Sequence, residues 1–182
     1  MKDMNGSETA RTKIANALEE CLQTKRLEKV TVAEIMRTAN MTRQMFYHYF
    51  QDINELVYWM HNRHTLHHTA KFSEKKNFVE TFGNALAEMR EYKEFYKNII
   101  TYQEYPTFAD SFYQEVIEDV AHYIGKGRID EELDFSLKIY WHGATDMLVD
   151  WIKNDMKCPP DIMAKRFYEN MPKRLAKYYD EN

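Results

Sequence analysis

Glycine and proline are scarce in this chain of 182 residues, five and four respectively, and that scarcity argues against a loop-rich or all-β protein. Cysteine is nearly absent. Cys21 and Cys158 stand far apart with no metal-binding or redox spacing, which fits a reducing cytoplasm. No apolar run reaches the roughly 18 residues of a membrane span. The start, Met1-Lys2-Asp3-Met4, is polar, so neither a signal peptide nor a membrane helix is expected. A Gly-rich phosphate loop, a nucleophile elbow and a recognisable Cys/His pair are missing as well, which leaves catalysis without a foothold and gives no reason to expect a cofactor. Positive charge is not in excess either. The formal net charge is −4, so affinity for nucleic acid has to come from local charge rather than from the whole chain. What is present is apolar bulk: 44% hydrophobic residues, with 14% aromatic, can fill a sizeable core. The length suits a small N-terminal domain, residues 1–52, followed by a larger helical one, residues 53–182.

The most informative stretch runs from Thr31 to Phe50, TVAEIMRTANMTRQMFYHYF. Thr31 and Glu34 have the spacing of a capping box, which satisfies the orphan amides at a helix start. Val32, Ile35 and Met36 then fall on one helical face. Asn40 is the residue best suited to a left-handed turn. Thr42 is placed to cap a second helix, in which Phe46 and Phe50 point inward while Arg43, Gln44, Tyr47 and His48 occupy the other faces. A short helix with an apolar back and a front of Arg, Gln and His suits a DNA major groove. Charge agrees locally: from Cys21 to Phe50 there are five basic residues, Lys25, Arg26, Lys29, Arg37 and Arg43, against Glu28 and Glu34, a net of +3.

These residues resemble the helix-turn-helix of TetR-family transcriptional regulators, whose recognition helix closes on an aromatic signature, here Tyr47-His48-Tyr49-Phe50. Where that family commonly carries a phosphate-contacting Lys, three residues after the Phe, this chain has Ile53. The resemblance implies an all-α protein: an N-terminal three-helix bundle with the helix-turn-helix, and a C-terminal helical ligand-binding and dimerisation domain. It also implies a homodimer that binds a double-stranded DNA operator. Arg43 and Gln44 are expected to contact base edges, with Met45 on a thymine methyl. Thr31, Arg37, Thr42, Tyr47 and His48 complete the expected DNA-binding set, most of them positioning the helix on phosphates.

Elsewhere the pattern is helix after helix. Ser7 is placed to cap a first helix over residues 8–24, with Ile14, Leu18, Cys21 and Leu22 on one face. Leu27 and Val30 reach the core from the connector. A fourth helix is expected over 53–71, capped by Asp52 and Glu55, and it is the only covalent bridge between the two domains. Further on, Phe78, Phe82, Leu86 and Met89 form a stripe, and a short segment through Phe95, Ile99 and Ile100 stops at Tyr105-Pro106. Thr107 opens a helix with Phe108, Phe112, Val116, Val120 and Tyr123 inward, closed near Gly125. The longest helix is expected over 130–156. Cys158-Pro159-Pro160-Asp161 separates it from a last segment, within which Pro172 kinks the helix or starts a new turn.

Trp141-His142-Gly143-Ala144, Met147-Leu148 and Trp151-Ile152 resemble the Firmicutes-type C-terminal domain found in regulators of dihydroxyacetone-kinase operons. Gly143 and Ala144 let another helix come close. Two readings stand: packing inside one subunit, or an intersubunit contact of Gly143, Ala144, Met147 and Trp151 with Met163 and Phe167. The aromatic wall Phe112, Tyr140 and Trp141 either lines an effector cavity, with Tyr hydroxyls and His142 to orient a polar group, or is packed core. His61, His64 and His68 share a helix face at metal-ligand spacing, but a polar helix face explains them as well and no metal is assigned. Lys173, Arg174 and Lys177 read as a solvated last turn. The sequence reading is therefore a cytoplasmic, non-enzymatic DNA-binding regulator, a repressor released by a small-molecule or protein effector. The alternatives are an activator working with a protein co-activator, and a helical ligand- or metal-binding protein without DNA binding.

Overall fold

A computed structural model describes residues 2–69, 77–102 and 107–180, all-helical apart from turns and connectors. Tyr105-Pro106 and Lys71 lie outside the described residues. The chain forms two compact units, Met1–Arg63 and His64–Asn182. Their division falls within the fourth helix, whereas the sequence reading divides the chain where that helix begins.

In the first unit, α1 spans Lys2–Leu22, so Ser7 falls inside the helix instead of capping it. Ile14, Leu18 and Leu22 are buried, and Leu27 and Val30 join them from the connector. Helices α2, Val32–Thr38, and α3, Arg43–Tyr49, follow. The α2 start is a complete capping box between Thr31 and Glu34. Its end is a Schellman motif: Asn40 takes the left-handed conformation at φ 54°, with Asn40 N–H donating to the Arg37 carbonyl (3.1 Å) and Met41 N–H to that of Met36 (2.8 Å). Helix α4, Ile53–Thr69, begins with the Glu55 N–H on Asp52 Oδ1 at 2.9 Å and the Gln51 N–H on the Glu55 carboxylate. Phe46, Phe50, Leu56 and Met60 complete this core.

The second unit contains α5 Phe78–Glu91, α6 Lys93–Ile99, α7 Phe108–Ile124, α8 Glu131–Lys153, α9 Pro160–Glu169 and α10 Lys173–Asp180. Helix α5 packs most extensively on α9, and α7 on α8. Four of these starts have a local cause. Asn77 caps α5, a Thr107–Asp110 capping box opens α7, Asp130 accepts from the Leu133 N–H at 2.7 Å, and Pro160 sits at the first turn of α9. Pro172 ends one helix and starts the next rather than kinking a continuous one, its carbonyl accepting from Leu175 and Ala176. Gly125, at φ 89°, closes α7 in a conformation that side chains rarely adopt. The end of α8 has no glycine. Asp155 (φ 62°) and Met156 (φ 51°) are both left-handed, and Met156 N–H donates to the Trp151 carbonyl at 2.8 Å. The expected stripe of Phe78, Phe82, Leu86 and Met89 is buried. On α7, Phe112 and Val120 are buried, but Phe108, Val116 and Tyr123 only partly so.

Candidate nucleic-acid interface and effector wall

Helix α3 is anchored by its back and free at its front. Phe46 and Phe50 are buried, their rings 5.7 Å apart, and Phe50 meets Trp59 edge-on at 5.9 Å. Arg43, Gln44, Met45, Tyr47 and His48 are all exposed. Arg43 donates to the Tyr47 hydroxyl at 3.2 Å and lies over its ring at 5.7 Å, so the guanidinium is steadied one turn along the helix without being neutralised. Thr31 and Arg37, at opposite ends of α2, are exposed too. Glu34 is engaged twice, in the capping box and with Lys25, whose ammonium holds the Glu34 carboxyl below the usual carboxylate range. Thr42 differs from expectation. It occupies the cap position of α3 but makes no side-chain capping bond, because the Met45 amide donates instead to the Thr42 carbonyl at 3.0 Å. Its hydroxyl is therefore not taken up in starting the helix. The sequence reading missed Lys13, an exposed cation of α1 beside the same turn; its signal was a basic side chain directly before the buried run that starts at Ile14.

The aromatic wall is densely packed. Trp141 is only 3% exposed; its indole meets Tyr140 at 5.1 Å and Phe82 edge-on at 6.3 Å. Phe112 is buried as well, with its ring 6.0 Å from that of Phe108. The groups expected to orient a ligand are otherwise engaged: Tyr140 donates its hydroxyl to the Phe167 carbonyl at 2.7 Å, and the exposed His142 stacks on Tyr113 at 3.8 Å. Burial pushes the Tyr140 phenol well up, so it remains a donor. Among the described residues, buried polar atoms without a hydrogen-bond partner include Trp141 Nε1, Thr145 Oγ1 one turn further on, and Thr81 Oγ1 on α5. A threonine four residues after a buried tryptophan was the sequence signal for Thr145.

The residues expected at a dimer contact divide into two sets. Gly143 and Met147 are exposed, and nothing lies within 4 Å of where a Gly143 Cβ would be. Ala144, Trp151, Met163 and Phe167 are buried within the single chain, which favours for these four the reading of packing inside one subunit. Trp151 donates its indole N–H to the Cys158 carbonyl at 2.9 Å, and the Phe167 ring meets Phe82 edge-on at 5.2 Å. The apolar side chains left outward on α8 are Phe135, Ile139 and Met147, with Ile162 on α9.

His61 and His64 are buried, and the His64 ring stacks on Tyr92 at 3.6 Å. The His67 and His68 side chains lie outside the described residues. Arg174 pairs with Glu132 at 3.7 Å, and the Lys177 ammonium lies 4.9 Å from the Tyr178 ring centre.

Glu115 on α7 has the most displaced carboxyl in this unit: burial first, then the neighbouring charges of Asp119 and Glu118, push it up to about 7. With a folded value above the unfolded one, the folded chain holds the proton more tightly, so this contribution is full below the unfolded value near 4.5 and is lost as pH rises through 7. The thermal midpoint should therefore fall by a few degrees between pH 5.5 and 8, and Glu115→Gln should flatten that fall. An unchanged pH dependence in the variant would assign the effect to other groups. The Asp155 carboxyl, held at about 2 by hydrogen bonds from Lys97 and Lys93, works in the opposite sense but below this window.

Comparison with known proteins agrees with this geometry. The family profile described as "Bacterial regulatory proteins, tetR family" matches residues 14–58, and the one described as "Transcriptional regulator C-terminal region" matches residues 76–173. The chain is similar to the HTH-type dhaKLM operon transcriptional activator DhaS of Lactococcus lactis subsp. lactis (strain IL1403), with 23% identity over 136 residues, covering 75% of this chain and 58% of that protein. The match thus spans less than two thirds of that relative's length. A solved structure, the dihydroxyacetone kinase operon activator DhaS, superposes with a TM-score of 0.69 at 19% identity, covering 93% of this chain and 96% of that one. At that identity the likeness supports the fold. No helix among the described residues is long and apolar enough to cross a membrane.

Proposed function

Since the chain belongs to the TetR family of bacterial regulators, we propose that it acts in the cytoplasm as a homodimeric, sequence-specific regulator that reads double-stranded operator DNA through α3. The observation that carries this is the division of α3 between an anchored aromatic back, Phe46 and Phe50, and an exposed front of Arg43, Gln44, Tyr47 and His48. Arg43, steadied by Tyr47, presents the paired donors that suit a guanine edge, Gln44 the donor and acceptor that suit an adenine edge, and Met45 offers an apolar surface to a thymine methyl. Thr31, Arg37, Thr42, Tyr47 and His48 hold the helix on phosphates.

A bidentate contact discriminates between bases by about 1–3 kcal/mol. Arg43→Ala and Gln44→Ala should accordingly weaken binding to an operator obtained by selection from random duplexes by about tenfold to a hundredfold, yet scarcely change binding to unselected DNA. Equal losses on both would assign these side chains to the backbone. Failure of the unaltered protein to enrich any sequence would leave the helical ligand-binding alternative.

The second copy docks on the outward apolar face of α8, Phe135, Ile139 and Met147, with Gly143 admitting close approach. A small-molecule or protein effector acts on the C-terminal unit and alters DNA affinity through α4, in the range of about 1–3 kcal/mol usual for coupled sites. As a small-molecule site, the wall around Trp141 and Thr145 has donors to offer. The sign of regulation has two readings. Family habit favours a repressor, whereas both named relatives are activators, which favours activation with a co-activator.

A further inference from the structure

A cleft of about 630 Å³ opens in the first unit between α1 and the α2–α3 turn. Thr9 and Lys13 contribute to it from α1, Arg37 from the last turn of α2, Asn40 and Thr42 from the turn, and Met45 from α3. Its polar lining holds two cations, an amide and two hydroxyls, with no carboxylate. Several basic side chains elsewhere are engaged by carboxylates: Lys25 with Glu34, Lys138 with Asp134, and Lys93 and Lys97 with Asp155. Among the described residues, neither Lys13 nor Arg37 meets a carboxylate. Lys13 and Arg37 come from different helices and line one cleft that has no carboxylate, so an anion placed there would gain from both charges. The donors available, ammonium, guanidinium, amide and hydroxyl, suit the unesterified oxygens of a phosphate.

Position narrows the source of that phosphate. Thr42 is the cap residue of α3 and Met45 lies in its first turn, so the cleft lies beside the start of the helix proposed to enter the groove. The major groove is about 12 Å wide and a helix with its side chains is about 10–12 Å across, which brings the sugar-phosphate backbone alongside α3 within reach of a single side chain. We propose that this cleft seats a backbone phosphate of the bound DNA, held by Lys13 and Arg37, with Lys13 a positioning residue that orients α3. The proposal rests on the reading of α3 as the DNA-reading helix, and it supplies a backbone anchor in a chain that has Ile53 where its family commonly has a phosphate-contacting lysine.

The test is the salt dependence of DNA affinity for the full chain, measured between 50 and 200 mM salt on the selected operator and on random duplex. Each phosphate neutralised contributes about 0.9 to the slope of log affinity against log salt. Lys13→Gln should make the slope shallower by about 0.9 per subunit engaged and lower affinity by the same factor on both DNAs, leaving operator preference unchanged. Lys13→Arg should restore the slope. Lys165→Gln, which removes the same charge from α9, should leave it as it was. An unaltered slope in Lys13→Gln, with Arg43→Ala still abolishing operator preference, overturns the phosphate seat while sparing the reading of α3. Absence of DNA binding by the unaltered protein overturns both. Saturable binding of inorganic phosphate to the DNA-free protein that Lys13→Gln abolishes, with an unchanged DNA slope, overturns the proposal in favour of a free-anion site.

Discussion

Phe135→Asp combined with Ile139→Asp should yield a folded monomer with specific operator affinity reduced by about two to four orders of magnitude. Both side chains are outward, 64% and 60% exposed, so a carboxylate there meets water in the isolated chain and leaves the subunit intact. At a two-fold contact, the same pair would bring four new charges against one another in a desolvated apolar surface, and leaving buried charges unpaired is among the most costly changes available. The DNA effect follows from geometry. Recognition helices on two subunits reach half-sites one helical turn apart, about 34 Å, and linking two binding modules raises avidity by about 10²–10⁴ over either alone. Sedimentation should show the monomer while circular dichroism is unchanged. A dimer that persists in the double variant would remove the outward face of α8 from the interface.

Trp141→Ala should destabilise the C-terminal unit by about 3–5 kcal/mol. The side chain is buried and in ring contact with Tyr140 and Phe82, and its removal leaves a large void that neighbours already engaged with one another cannot fill. Tyr140 is tied to the Phe167 carbonyl, and Phe167 packs on Phe82. Against a typical total stability of about 5–15 kcal/mol, such a loss takes much of the unit's margin, and dimer-dependent operator binding should fail with it near physiological temperature. Trp141→Phe makes the useful contrast: it keeps an aromatic ring at this position and so loses less packing, and the indole N–H it removes has no hydrogen-bond partner. A melt of Trp141→Ala close to that of the parent, with effector response altered, would show instead that Trp141 borders a void which a ligand fills.

Much of the first unit could be read from the chain because its determinants are local. A threonine three residues before a glutamate makes the capping box, an asparagine takes the left-handed position, and two phenylalanines four apart fix which side of α3 faces inward. Thr42 shows where local reading ends. Its type suits a cap, but the competing acceptor was a backbone carbonyl, and residue type does not announce which of the two an amide will choose. In the second unit the burial of Phe78, Phe82, Leu86 and Met89 follows from spacing, whereas the facing of α8 does not. That helix carries apolar residues around most of its circumference, so periodicity cannot separate Trp151, turned inward, from Met147, turned outward. The Tyr140 tether is likewise invisible in sequence, since its acceptor is a main-chain carbonyl 27 residues away.

The reversal after α8 bears on how any salt titration of this protein is interpreted. Its left-handed Asp155 is fastened from outside by Lys97 at 2.9 Å and Lys93 at 3.1 Å, both on α6. These pairs are exposed, so mobile ions weaken them over the same concentrations that compete with phosphate contacts on DNA. A titration of binding therefore records two processes at once, counterion release at the DNA and a loosening of the fastening between α6 and the end of α8. The second is common to every variant in which Lys93, Lys97 and Asp155 are kept, and it cancels in a difference of slopes but not in a slope taken alone.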